Sequence, residues 1–193
     1  PKRAQTLPYK GTISTTPDGR FIFIQNATPA SSISIVDRKA SKFVAELPTP
    51  GCWASLPATS VNNRFSTVCG DGTLLTITLN ADGTPGEQQR SERLFDPDKG
   101  PIFTQTENDG DTYYFLSFYG QLHSANLGGA KATIGPTVSL VDAEDQKKNW
   151  RPGGYQPFAY HKETGRLYVA LHPDGKEGSH KNPAAEIWAF DLA

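Results

Sequence analysis

A rhythm constrains this chain more than any single motif does. Short runs rich in β-branched and aromatic residues recur in groups of four, and turns bearing Gly, Asp or Pro close each run. The first group is residues 11–15 (GTIST), 21–25 (FIFIQ), 32–37 (SISIVD) and 43–47 (FVAEL), with Pro17-Asp18-Gly19 between its first two runs. A second group occupies 53–56, 64–69, 74–79 and 92–95, and a third 102–106, 112–118, 121–126 and 133–140. A fourth begins with 155–161, 166–171 and 185–191. The third runs end at Asp37, Leu79, Asn126 and Asp191, so they are spaced by 42, 47 and 65 residues. The last interval is lengthened by a loop at 172–183. A four-strand unit repeating at this interval predicts an all-β fold, a β-propeller of four-stranded blades. A β-sandwich gives strands at the same density but not the four-beat repeat. Blades are expected over about 9–48, 52–96, 101–141 and 154–193, the last lacking its outer strand. The chain therefore reads as an internal segment of a longer propeller.

One stretch breaks the pattern. Residues 142–149 (DAEDQKKN) have no β-branched residue and place acids before lysines, as the helix dipole favours. A short helix is expected there, stopped by Pro152-Gly153-Gly154.

Composition excludes several classes of function. With a formal charge of −1 there is no global field to hold nucleic acid or an anionic membrane. Hydrophobic residues make up 36% of the chain and form no run long enough to span a bilayer. The glycines at 70, 72, 153 and 154 fit neither phosphate-loop pattern and read as turns. Asp142, Glu144 and Asp145 lack the spacing of a calcium loop and suit a helix start. His172 and His180 bracket a loop with two lysines, while His123 and His161 lie in or at the ends of strands. None of this makes a metal site, so no metal ligand, catalytic residue or bound cofactor is expected in this chain.

The two cysteines, Cys52 and Cys69, lie 17 apart with no histidine between them. Zinc needs about four ligands, and a thioredoxin-type pair needs C-x-x-C. Two buried thiols or one disulfide remain. Cys52 precedes the first strand of the second group and Cys69 ends its hairpin neighbour, so their Cα atoms can approach the 5.5–6 Å typical of a bridge. A disulfide is expected, stabilising by roughly 3 kcal/mol and implying an oxidising compartment.

Several long motifs now carry a resemblance: TPDGRFIFIQNATPASSISIVD, GCW with CGDGTLLTITL, NWRPGGYQ, and HPDGKEGSHKNPAAEIW. Together they resemble the heavy subunits of quinoprotein amine dehydrogenases along essentially the whole chain. The aromatic (aralkylamine) branch is closer and the methylamine branch more distant. The resemblance implies a seven-bladed propeller in a periplasmic heterotetramer whose light subunit carries tryptophan tryptophylquinone. Such an enzyme oxidises primary amines to aldehyde and ammonia and passes electrons to a blue copper protein, azurin or amicyanin. It also implies a heavy-subunit disulfide at the positions of Cys52 and Cys69. Catalysis would reside in the light subunit, with this chain as scaffold. The alternative is a free-standing periplasmic propeller that binds a ligand or protein.

Two excursions leave the blade rhythm, residues 149–154 and 172–183. Loops on a rigid scaffold are where binding concentrates, so Trp150, Arg151, His180 and Lys181 are the candidate contacts to a partner subunit. Trp53, Trp150 and Trp188 are otherwise expected to pack between blades.

Overall fold

Seventeen strands account for nearly all the regular structure of residues 9–192, which the computed structural model describes. These residues fall into two compact units. The first contains the chain up to Leu94 together with Gly110–Thr112 and Ala125–Ile134; the second contains the remainder.

In the first unit, β1 (Ile13–Thr15), β2 (Phe21–Asn26), β3 (Ser32–Asp37) and β4 (Lys42–Pro48) form an antiparallel sheet in chain order. So do β5 (Cys52–Pro57), β6 (Arg64–Cys69), β7 (Leu74–Leu79) and β8 (Pro85–Arg90). Four strands in chain order are the unit of a propeller blade. The core of this unit joins Phe21, Phe23, Ile33 and Ile35 of the first sheet to Phe65, Ile77 and Leu79 of the second. Phe23 and Phe65, both fully buried, bring their rings to 4.3 Å at the centre.

The turns repeat one device. Asp71 and Asp82 each accept, through Oδ1, the backbone N–H and the hydroxyl of the threonine two residues on, Thr73 and Thr84. These hydrogen bonds, the hydroxyl first, hold both carboxyls below the usual carboxylate range.

Cys52 and Cys69 are bonded and face each other in register across β5 and β6. Their Cα atoms are 3.9 Å apart, closer than the separation anticipated from sequence. Neither backbone bonds the other; Cys52 N–H goes to Thr49 and Cys69 N–H to Thr73. The pair thus occupies a non-hydrogen-bonded position of the ladder, where opposite residues lie nearest.

One expected strand lies elsewhere. The fourth strand of the second sheet is Pro85–Arg90, not residues 92–95. The Asp82-Gly83 turn returns the chain onto β7 at once. Leu94 and Phe95 are instead buried in the connection that follows.

The third sheet runs β12–β11–β10–β9, with β13 also on β11. Its strands are β9 (Ile102–Asp109), β10 (Thr112–Ser117), β11 (Gln121–Asn126), β12 (Thr133–Ile134) and β13 (Val138–Ser139). The single strand expected at 133–140 is split by Gly135-Pro136, since proline cannot donate to a ladder.

Helix α1 (Ala143–Lys147) follows, within the expected 142–149 segment. Asp142 caps it by accepting the N–H groups of Glu144 and Asp145.

The fourth sheet comprises β14 (Arg151–Pro152), β15 (Phe158–His161), β16 (Arg166–His172) and β17 (Glu186–Asp191). β14 and β15 pair in succession along one side of β16, and β17 pairs along the other. Arg151 and Pro152 therefore belong to the sheet, although the sequence places them in a loop that precedes it. The core of the second unit gathers Phe103, Leu116, Leu122, Phe158, Leu167 and Val169, with Trp150 and Trp188 against it.

Candidate functional site

The two excursions singled out in the sequence meet in the second unit. After α1 the chain reverses through Asn149, which adopts a positive φ of 53°. β14 then lays Arg151 opposite His172 at the end of β16. The loop after β16 turns back onto the same segment: Asp174 N–H donates to Lys148 O at 3.1 Å and Gly175 N–H to Asn149 O at 2.8 Å. Further on, Gly154 N–H donates to His180 O at 2.9 Å. A short 3-10 turn, Ser179–Lys181, closes the loop, and the Ser179 hydroxyl accepts the Lys176 N–H.

Gly153 explains part of the W-R-P-G-G motif. A Cβ there would lie 2.6 Å from both the His172 ring and Asn182 O. Only glycine lets the two segments approach this closely. His172 is buried, its ring nitrogens each 3.0 Å from a carbonyl oxygen, those of Pro173 and Ser179.

Between these segments and the turn after β10 lies a cleft of about 500 Å³. Phe118 and Tyr119 form one wall. The His180 ring stacks on Phe118 with centroids 4.0 Å apart and planes within 7°. The Arg151 guanidinium carbon lies 4.7 Å from the centre of the Tyr119 ring, a cation–π arrangement. Lys176, Asp98 and Glu177 complete the charged lining. Burial and then the nearby Lys181 charge push the His180 imidazole below its ordinary value.

Of the four predicted contact residues, Arg151 and His180 line this cleft. Trp150 does not: its ring packs on Trp188 at 5.0 Å and against the core of the unit. Lys181 is exposed at the end of the 3-10 turn, beside the cleft rather than in it. The four histidines do not converge: His123 bonds Thr137 and His161 bonds Thr164, each within its own hairpin region. Among the described residues no group of three or more His, Cys, Asp or Glu is placed to hold a metal. Phe118 and Tyr119 were not singled out from the sequence. The available signal was two consecutive aromatics at a glycine turn, where Tyr119 is left exposed.

Comparison with known proteins adds the following. The sequence model of a family described as methylamine dehydrogenase heavy chain matches residues 3–191. The methylamine dehydrogenase heavy chain of Methylophilus methylotrophus is 24% identical over 191 residues, covering 98% of this chain and 46% of that protein. Its counterpart in Methylorubrum extorquens is 24% identical, covering 95% and 44%. The chain thus spans less than half the length of these curated relatives. Among solved structures, a protein of unknown function from Desulfotomaculum acetoxidans is similar with a TM-score of 0.60 at 13% identity, covering 93% of this chain and 56% of that one. A Myceliophteria thermophila β-propeller domain, Cps50 (Swd1), is similar with a TM-score of 0.53 at 10% identity, covering 90% and 55%. These structural likenesses bear on the fold: an all-β propeller of four-stranded sheets.

Proposed function

Because the chain belongs to the methylamine dehydrogenase heavy chain family, we propose that it is part of the propeller subunit of a quinoprotein amine dehydrogenase, acting as scaffold for a light subunit that holds the catalytic groups. The observation that carries this reading is the family match over residues 3–191. The partner's tryptophan tryptophylquinone would oxidise a primary amine to aldehyde and ammonia. Electrons would then leave through a blue copper protein such as azurin or amicyanin, in the periplasm. Trp150 and Trp188 pack on each other and against the core of the second unit, and neither lines the cleft. In this reading the quinone belongs to the partner.

The motif likeness to the aromatic branch supports an arylalkylamine substrate, such as phenylethylamine or tyramine. In the light-subunit interface we include Arg151 and His180, which stand on a braced segment rather than a free loop. The test is to express the complete heavy chain with its neighbouring light-chain gene and purify the heavy chain alone by tag. Co-purification of a small, disulfide-rich chain with quinone absorbance is expected, together with faster turnover of phenylethylamine than of methylamine. A heavy chain that purifies alone and without quinone absorbance would favour a free-standing binding propeller instead. Faster methylamine turnover would overturn only the aromatic preference.

A further inference from the structure

Arg151 is held in place but has nothing to bind. Its backbone is fixed in β14 against His172. Its stem lies against Gly175, where a Cβ would come within 2.5 Å of Arg151 Cδ and 2.6 Å of Cγ. Its guanidinium sits over Tyr119. Yet no described residue forms a hydrogen bond or ion pair with that guanidinium, and Lys176 on the facing loop has no ion pair either. Asp98 and Glu177 also line the cleft, but neither comes within salt-bridge distance of Arg151 or Lys176. One held cation, Arg151, and one exposed cation, Lys176, are therefore left for an incoming anion, and the flat Phe118–His180 stack lies in the same cleft. An oriented guanidinium matches the two oxygens of a carboxylate, and its side-chain freedom has already been restricted by packing.

We propose that this cleft is a carboxylate-binding site: Arg151 pairs with the anion, Lys176 assists, and the Phe118–His180 stack receives the flat apolar group that carries it. This goes beyond the scaffold reading and rests on the cleft itself. The carboxylate has two possible sources, a free aryl acid or an acidic side chain of a partner subunit, and the experiment separates them.

The probe is benzoate, titrated into the complete heavy chain and followed by ligand-observed NMR, with benzamide as the neutral analogue of the same shape. Saturable benzoate binding is expected with a Kd of about 1 mM, as suits so small a ligand, and benzamide should bind far more weakly. Arg151→Ala should weaken benzoate about tenfold or more, and Arg151→Lys should weaken it less, since charge remains but the planar fork is lost. Lys176→Ala, at an exposed position that does not threaten the fold, should weaken it severalfold. Glu177→Gln should tighten it.

The proposal is overturned by equal binding of benzamide and benzoate, or by no saturable benzoate signal. It is equally overturned if Arg151→Ala and Lys176→Ala, with melting curves unchanged, bind as the parent does. The source is then read by placing Arg151→Ala in the complete heavy chain. Loss of light-subunit co-purification assigns the carboxylate to the partner, and intact assembly assigns it to a free acid. Failure of the scaffold reading would show in the parent heavy chain, which would recover no light subunit at all, whatever benzoate does.

Discussion

Among the side chains that make acid unfavourable to this fold, His123 and Asp111 act in separate pH windows. His123 lies on β11, 6% exposed, with Nδ1 bonded to Thr137 and Nε2 buried without a hydrogen-bond partner. Burial pushes its ring below the ordinary 6.5. The unfolded chain therefore binds the proton more readily, and stability falls as pH drops through about 6.5 towards the folded value. Asp111, in the turn before β10, accepts from Thr59 N–H, Thr59 Oγ1 and Ser60 N–H. Burial raises its carboxyl, but the hydrogen bonds from Ser60 and Thr59 outweigh burial and bring it below the ordinary 3.8. Its contribution is complete above 3.8 and is lost as pH falls through the folded value. Two outcomes follow for urea unfolding measured across pH. His123→Asn, which keeps a partner for Thr137, should flatten the stability profile between about pH 7 and 5. Asp111→Ala should cost about 1–3 kcal/mol at pH 7, a gap that narrows below 3.8. A His123→Asn profile parallel to the parent would remove the buried imidazole as a source of acid sensitivity.

At the scale of elements, legibility followed burial. β2, β3, β6 and β7 stand out in the sequence because FIFIQ, SISIVD, RFSTVC and LLTITL carry apolar residues at the positions that face the core. β8 reads PGEQQR and has no buried residue, so nothing apolar marks it; only its pairing with β7 makes it a strand. β17 has a different exposure. Among the described residues it pairs only with β16, leaving its outer edge open, and Ile187 on it is 73% exposed. An open edge bearing an exposed isoleucine is a template for association between chains. A lysine at this exposed position should change stability by less than about 0.5 kcal/mol while charging the edge. Ile187→Lys is therefore expected to slow aggregation of the isolated chain severalfold in light scattering, at an unchanged melting temperature. Equal aggregation rates would clear this edge.

For the whole molecule, the propeller repeat was readable because each sheet is built from neighbours in sequence. The site was readable only in pieces. Arg151 and His180 could be named singly, but their shared cleft depends on backbone bonds donated by Asp174 and Gly175 to Lys148 and Asn149, which leave no pattern in composition or spacing. The disulfide lies between these cases, since a hairpin sets its partners opposite each other. It also bears on the proposed oxidising compartment. The bridge spans 17 positions, and closing a loop of that size stabilises by about 3 kcal/mol, a large part of the 5–15 kcal/mol typical of a whole domain. A chain made in a reducing cytoplasm should therefore keep two free thiols and unfold at lower denaturant than the same chain exported to an oxidising periplasm. Thiol titration under denaturing conditions should find two thiols in the first and none in the second. The difference in unfolding free energy should be about 3 kcal/mol, and Cys52→Ser with Cys69→Ser should abolish it. Equal stability of the two preparations would show that strand pairing alone holds this hairpin, and the periplasmic assignment would then rest on family likeness without support from the fold.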